Sequence, residues 1–545
     1  MNMKPWAAHY PEHVPQMMAY PRIPVFRFLT DTAAAHPDDA AMTFNDVSTT
    51  YRELNDKVNR FARVLAQAGV RKGDRVALIL VNSPTYVIAF FAVLKLGALA
   101  ANLSVGIAGE ELASCLRNAG ARVAVTLDLF AQNLYRVIGQ TAVETVILHS
   151  VFGLEKKIAV EPGRPPIRIF NDLLSAVDRA DEPQIDVFPE DAAVLQYTSG
   201  STGTPKAATL THANMVASVL QTDAWIGIDK AGNAAVMCLI PFFHVFGLLS
   251  CLCVCVHKGY RMVLLPRMDL LDVLSLTRLL ETYRPIFFPA VPSLWNALLS
   301  FPEEKIKGPL GSLQVAICGG GPFPKTVHER FTALTGRRMM EAYGLSEACS
   351  ATHMTPYPAG GPAGSIGLPL PGTDAKIVDL ETGEGECAAG EVGELAVRGP
   401  QIMSGYWEND EQTGRALRNG WFYTKDMARM DENGFFYIVD RKDDLIISNG
   451  FNVYPGQVEE VLKKHPGVKD AAVIGVADRS RGQAVVAVVA LEEESRADAA
   501  EILQYCRENM PDYRVPKSIV FREIIPRDPA GKLLRRVLKT EARNV

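Results

Sequence analysis

Nowhere does this 545-residue chain gather lysine or arginine into a long run, and 56 basic against 61 acidic side chains leave a formal net charge of −5. The electrostatic footprint of a nucleic-acid binder is therefore missing, no nucleic-acid partner is expected, and any phosphate site must be local. Long apolar runs are missing too. The longest uncharged ones, 96–109 and 245–256, fall short of the roughly 18 residues a membrane helix requires, so no membrane span is expected and only peripheral membrane contact stays open. The amino-terminal residues lack the apolar core of a signal peptide, which makes the cytoplasm the expected compartment. Cysteine is scarce, nine in all, with no Cys-x-x-Cys pair. That excludes a disulfide framework and a zinc ribbon. The one cluster, Cys251, Cys253 and Cys255, reads as small apolar residues on one face of a core strand. No internal repeat or low-complexity tract occurs, and 42 Gly with 34 Pro are ordinary numbers for this length, so solenoid, collagen and disordered classes fall away.

What is present reads as a large α/β body. Thr50 and Glu53 form a capping box, and Leu54, Val58, Phe61 and Leu65 recur at helical spacing up to Gly69, which predicts a helix over 50–69. An apolar run at 75–81 predicts a strand, and Pro84 opens a buried helix over 86–94. Short apolar runs at 194–197, 234–240, 261–265 and 315–318, separated by helix-length stretches, extend the layered α/β pattern. After about residue 360 Gly and Pro are dense, and strands at 374–379, 393–397 and 435–439 alternate with turns, as in a β-rich subdomain. From 440 the pattern resets. Helices over 457–464 and 499–509 and an alternating strand pair around Val473 and Val485 predict a small α+β domain. The expected division is an amino-terminal domain over 1–440, containing the β-rich part at about 360–440, and a carboxy-terminal domain over 441–545.

The sharpest chemical feature is Tyr197-Thr198-Ser199-Gly200-Ser201-Thr202-Gly203-Thr204-Pro205-Lys206, directly after an apolar strand. Glycines free the backbone to approach a ligand, hydroxyls and backbone N–H groups offer donors, and a lysine closes the run: a phosphate cradle in chemical terms. A Ser/Thr/Gly-rich surface turn shares this composition. The Walker A spacing is unmet, neither Ser199, Ser201 nor Ser346 lies in Gly-x-Ser-x-Gly, and no Gly-x-Gly-x-x-Gly follows a strand.

The decamer resembles the phosphate loop of the adenylate-forming superfamily, which includes acyl-CoA synthetases, luciferases and peptide-synthetase adenylation domains. Further segments match its motifs in order: Pro241-Phe242-Phe243-His244, Glu341-Ala342-Tyr343-Gly344-Leu345-Ser346-Glu347, Gly393-Glu394-Leu395 with Gly405-Tyr406-Trp407, Asp440-Arg441 with Gly450-Phe451-Asn452-Val453-Tyr454-Pro455, and Pro526 through Gly531-Lys532 to Arg535. They span 197–535, and the run as a whole is most similar to bacterial-type medium- and long-chain fatty acyl-CoA ligases. The resemblance implies a two-step reaction in which a carboxylate attacks the α-phosphate of ATP and a thiol then displaces AMP. ATP, Mg²⁺ and coenzyme A, with a small carboxylic acid, are the implied cofactors and partners. Both steps build negative charge, so preorganised donors and cations matter most.

Carried over to these positions, the resemblance makes Thr198, Ser199, Gly200, Ser201, Thr202, Gly203 and Lys206 the holders of the β- and γ-phosphates. Gly319, Gly320, Tyr343, Gly344 and Ser346 join the nucleotide site, Tyr343 stacking on adenine, and Glu347 takes Mg²⁺. Asp426 and Arg441 hold the ribose. Lys532 bridges the incoming carboxylate and the α-phosphate, and with Glu347, His244 and Thr202 makes the catalytic set. Asp443 falls at the hinge about which the terminal domain rotates between half-reactions. His244, Phe246, Gly247, Gly320, Gly450 and Phe451 line the acyl and CoA path. Three positions depart from the family pattern: Lys425 and Ala207 stand where glycine is usual, and Lys442 where an apolar residue is usual.

The acid is read from the apolar surroundings of His244 and from the unfilled volume at Gly319–Gly321, which favour a medium- or long-chain fatty acid. An aryl acid fits a Gly-lined slot as well. A carrier-protein-loading acyl-AMP ligase and a non-catalytic nucleotide-binding regulator are the remaining alternatives; the joint presence of Lys206, Glu347, Asp426 and Lys532 argues against the second.

Overall fold

The computed structural model describes residues 4–150, 163–198, 205–228, 234–265, 273–449, 451–478, 481–527 and 533–542. The chain parts into two compact units: Trp6–Asp374 with Arg398–Gly420, and Ala375–Val397 with Trp421–Val545 and the first few residues. Residue 440, at the expected boundary, lies near the end of the strand Phe436–Arg441, which is paired along Trp421–Met430, and the Asp440 carboxylate accepts from Gly456 N at 2.7 Å. In this division the β-rich strands group with the last hundred residues.

Two sheets make the larger unit. In one, Val315–Gly319 lies between Phe287–Ala290 and Met340–Leu345 in a parallel core, and antiparallel strands Ser350–Met354 and Leu368–Pro369 extend the edge. In the other, Ala192–Thr198 runs parallel to Leu99–Asn102 and antiparallel to Lys206–Thr211, which in turn takes the short strand Gly405–Tyr406. In the helix Pro84–Lys95 every residue from Thr85 onward is buried, and its Tyr86 hydroxyl lies 2.7 Å from Asn102 Oδ1 and 2.8 Å from the Phe242 carbonyl. Uniform apolarity leaves such a helix no solvent face. The capping box at Thr50 and Glu53 is present, opening the helix Tyr51–Gln67.

One element differs in type. Cys251, Cys253 and Cys255 were expected on a strand, but the chain from Gly247 to Cys253 is a π-helix that continues as the α-helix Val254–Lys258 and stops at left-handed Gly259. A run that is apolar throughout carries neither a period of 2 nor of 3.6, so pattern cannot choose between them. The three thiols are buried as core residues all the same, and all nine cysteines are free.

In the smaller unit the sheet Asp374–Val378, Gly393–Arg398, Trp421–Met430, Phe436–Arg441 accompanies a second sheet built on the antiparallel pair Val468–Asp478 and Gly482–Leu491. Val473 and Val485 face one core with Val458, Leu462 and Ile502, whereas Ile474 and Val486 face another with Leu538. Strand alternation with apolar residues on both faces means that the sheet is covered on both sides.

Candidate active site

The phosphate cradle begins where strand register can be followed. Thr198 ends one strand opposite Lys206, which begins the next, and Thr198 Oγ1 donates to the Lys206 carbonyl at 3.4 Å. Ser199, Gly200, Ser201, Thr202 and Gly203 lie outside the described residues, as do Gly450 and Lys532. Tyr197 anchors the approach to the loop: its hydroxyl is 2.9 Å from the Cys115 carbonyl and 2.8 Å from Asn118 Oδ1. Lys206 Nζ donates to Gln412 Oε1 at 3.1 Å and stands 5.9 Å from the centre of the Tyr406 ring. Ala207, a departure from the family pattern, buries its methyl in the core and accepts from Trp407 N at 2.8 Å.

The strand Met340–Leu345 delivers Tyr343, and a 3₁₀ turn, Ser346–Ala348, follows at once with Glu347 at its centre. Gly344 is required by packing, because a Cβ there would stand 1.6 Å from the Ser350 carbonyl oxygen. The Tyr343 ring meets His353 edge-on at 5.9 Å. Glu347 Oε1 accepts from the Tyr406 hydroxyl at 2.8 Å, and the Glu347 main-chain carbonyl accepts from Met403 N at 2.8 Å. On the same strand, burial pushes the Glu341 carboxyl up to about 8.

Phe246 brings the acyl and nucleotide candidates together: a Cβ added at Gly319 would stand 3.4 Å from its ring and 2.9 Å from the Ala342 carbonyl. Gly320, at φ +82°, turns the chain away from the strand end. The Gly319 and Gly320 backbones therefore pack beside the Phe246 ring. His244 Nδ1 accepts from Phe246 N at 3.3 Å, which fixes the imidazole at the mouth of the π-helix that Gly247 opens. π-Helical turns concentrate at functional sites.

The ribose candidates lie in the other unit and face each other across one hairpin. Asp426 and Arg441 are register partners, and Arg441 Nη1 donates to Asp426 Oδ1 at 2.8 Å. Asp426 is buried, and its backbone N–H donates to Thr424 Oγ1, whose hydroxyl reaches the Leu395 carbonyl at 2.8 Å. Lys425 takes φ +63°, the left-handed conformation that explains why glycine is usual there. Its Nζ pairs with Asp443 at 3.1 Å, and its N–H donates to Glu394 Oε1 at 3.1 Å. Lys442 Nζ donates to the other oxygen of the same carboxylate, Glu394 Oε2, at 2.9 Å. Both departures from the family pattern are thus absorbed by ion pairs. Phe451 is half exposed and stacks on Tyr513 at 4.9 Å.

Three positions after Lys532 in the sequence, Arg535 Nη2 donates to Glu459 Oε1 at 2.6 Å and Nη1 to Asp444 Oδ2 at 3.3 Å. Burial opposes its charge, but Glu459 and Asp444 hold its pKa above the usual value. Burial also raises the pKa of nearby Asp440, against the two backbone donors that lower it. Tyr406, Gln412 and Glu394 carry no role in the sequence reading; Tyr406 and Glu394 had a signal, their places in Gly405-Tyr406-Trp407 and Gly393-Glu394-Leu395.

Among the described residues no group of three or more His, Cys, Asp or Glu side chains is placed to hold a metal ion. A divalent cation at Glu347 would draw the rest of its shell from phosphates and water, the usual habit of Mg²⁺. A half-buried carboxylate with one oxygen already hydrogen-bonded fits that demand.

The model of the family described as "AMP-binding enzyme" matches residues 29–407, and that of "AMP-binding enzyme C-terminal domain" matches 457–532. A long-chain-fatty-acid–CoA ligase of Bacillus subtilis is 37% identical, covering 99% of this chain and 98% of the relative. A feruloyl-CoA synthase of an Amycolatopsis species is 33% identical over 92% of this chain and 96% of the relative. ATP-bound MatB from Rhodopseudomonas palustris superposes with a TM-score of 0.85 at 27% identity, covering 95% of this chain and 99% of that one. The chain belongs to the AMP-binding enzyme family. It is an AMP-forming acyl-CoA synthetase using ATP, Mg²⁺ and coenzyme A.

Proposed function

We propose that this enzyme activates a medium- or long-chain fatty acid. In the first half-reaction a carboxylate oxygen forms a bond to the α-phosphorus of ATP as the bond from that phosphorus to the bridging oxygen breaks, releasing pyrophosphate. In the second, the sulfur of coenzyme A bonds to the acyl carbon, its proton passes to solvent, and AMP leaves with the C–O bond electrons. Lys206 and the Thr198–Gly203 loop would hold the β- and γ-phosphates, and Tyr343 would pack on adenine. Asp426 and Arg441 would each take a ribose hydroxyl, a charged acceptor beside a forked donor. Glu347 would hold the cation that neutralises phosphate charge. Lys532 would sit between two anions that otherwise repel, and electrostatic placement of this kind is the largest lever on such transition states. Asp443 would serve as hinge, since a hinge need only absorb a φ/ψ change, and Gly450 and Phe451 would approach for the thiol step. A cytoplasmic location is part of the same reading; the nine free cysteines support it, and no helix among the described residues is long and apolar enough to cross a membrane.

One observation carries the choice of acid. Between Phe242 and Val256 the only acidic or basic residue is His244, every residue except His244 is buried, and Phe246 closes on Gly319 and Gly320. No carboxylate is available in that stretch to pair with an amino acid's ammonium group, so an apolar chain is favoured. The flat Phe246–glycine contact also suits an aryl acid, which makes that the second reading. The test is a product assay with MgATP, coenzyme A and a panel of short, medium, long and aryl acids, scoring AMP and thioester by mass. Preference for fatty acids of medium or greater length is expected, and preference for cinnamate-like acids overturns the choice.

A further inference from the structure

We propose that Tyr406 is a positioning residue of the adenylation half-reaction: it orients the Glu347 carboxylate toward the nucleotide's cation and keeps the Lys206 ammonium from closing on that carboxylate. The inference rests on the roles proposed above for Glu347 and Lys206. One end of the side chain, the hydroxyl, donates to Glu347 Oε1 at 2.8 Å; its ring lies 5.9 Å from Lys206 Nζ. A phenol is neutral, so it fixes one carboxylate oxygen without cancelling the negative charge, and the second oxygen keeps its lone pairs for a hard cation. An aromatic ring attracts an ammonium at this range without neutralising it. A Lys–carboxylate contact would do the opposite, because two unit charges in contact attract by several kcal/mol at low effective dielectric, and both groups would be spent on each other.

The backbone around Tyr406 is held on both sides of the same pair. Tyr406 is register partner to Ala208, next but one to Lys206, and Trp407 N donates to the Ala207 carbonyl at 2.8 Å. Met403 N donates to the Glu347 carbonyl at 2.8 Å. Tyr406 N donates to Thr413 Oγ1 at 2.9 Å, and a Cβ at Gly405 would stand 2.8 Å from Thr413 Cγ2, so the two-residue strand cannot shift without displacing the short helix Asp410–Ala416. Gln412, from that helix, takes the Lys206 ammonium at 3.1 Å. One short segment thus grips the main chain at both charged residues and sets the side chain of each.

The experiment uses the full-length enzyme and the variant Tyr406→Phe, which keeps the ring and removes the hydroxyl. Acid-dependent pyrophosphate exchange is measured against Mg²⁺ concentration. Independently, the ATP-induced rise in melting temperature is titrated with Mg²⁺. The half-saturating Mg²⁺ concentration is expected to rise by about tenfold in both, the effect of losing one hydrogen bond to a charged group, with kcat at saturating Mg²⁺ within about twofold of the parent and KM for the acid unchanged. Tyr406→Leu, which also removes the ring, is expected to raise KM for ATP in addition. A Tyr406→Phe enzyme with a lowered melting temperature but the parental Mg²⁺ dependence overturns the proposal, since a structural role alone predicts that. Equal KM for ATP in the two variants overturns the part assigned to the ring. Glu347→Gln separates this from the underlying reading: if Glu347→Gln shifts the Mg²⁺ dependence and Tyr406→Phe does not, only the role of Tyr406 falls, whereas no shift in Glu347→Gln removes the cation site itself.

Discussion

Lys206 and Glu347, on the proposed phosphate side, come from the start of a strand in one sheet and the 3₁₀ turn after a strand of the other, and are joined by a third segment, 403–413, that neither residue's neighbours in sequence announce. Asp426 and Arg441, on the proposed ribose side, are register partners in one hairpin, and the lysines flanking them are paired with Asp443 and Glu394. The first arrangement holds Glu347 and Lys206 each against the neutral side chains Tyr406 and Gln412. The second ties every charge to a near neighbour, so its groups are partly satisfied before any ligand arrives. Substitutions on the phosphate side should therefore damage chemistry more than folding, and those on the ribose side should damage both.

Lys532→Ala gives the largest expected effect: adenylation should fall by about 10²–10³-fold while thioester formation from synthetic acyl-adenylate is retained, checked by pyrophosphate exchange against a single-turnover thiol step. Retained adenylation would falsify the role assigned to that lysine. Next comes a matched pair. Glu347→Gln should lower kcat/KM by about 10²-fold with little change in melting temperature, whereas Asp426→Ala should raise KM for ATP and also lower stability by about 1–3 kcal/mol, because Arg441 loses the buried half of its ion pair. Equal melting temperatures in the two variants would erase the comparison. Lys425→Gly is smaller: relief of a left-handed backbone is worth roughly 1–2 kcal/mol and the half-exposed pair with Asp443 about 0–1 kcal/mol, so a small gain in the urea midpoint is expected. A loss would mean that the ion pair outweighs the backbone.

The smallest effect is one of pH. The Glu341 carboxyl is raised to about 8 by burial, so between its unfolded value near 4.5 and 8 the folded state binds the extra proton. Stability from this group is full below that window and is lost as pH climbs through it. Glu341→Gln, which carries no proton to lose, should therefore gain in melting temperature relative to the parent as pH rises across the window, and parallel curves for the two proteins would remove Glu341 as the cause.

Much of this was legible without coordinates where a local rule was strong. The box at Thr50 and Glu53, the proline at Pro84, and the alternation at Val473 and Val485 each tie a residue type to a local backbone demand, and the helix, the buried helix and the strand pair follow. Gly344 and the glycine-like turn at Lys425 belong to motifs, yet the reasons for them, a carbonyl at 1.6 Å from a would-be Cβ and a φ of +63°, are contacts between strands. The thiol cluster was misassigned to a strand because uniform apolarity has no period.

By itself the amino-acid sequence determined the family and the order of its motifs, since these are choices of functional group written at single positions, and it supplied the candidate site residues on which the proposed roles rest. Only the tertiary structure decided that Tyr406 stands between Glu347 and Lys206, that Lys425 and Lys442 are absorbed by Asp443 and Glu394, and that Phe246 walls Gly319. Each of these is a contact between residues remote in the chain, and such contacts depend on which strands pair and in what register, a property of the packed whole that no local pattern encodes.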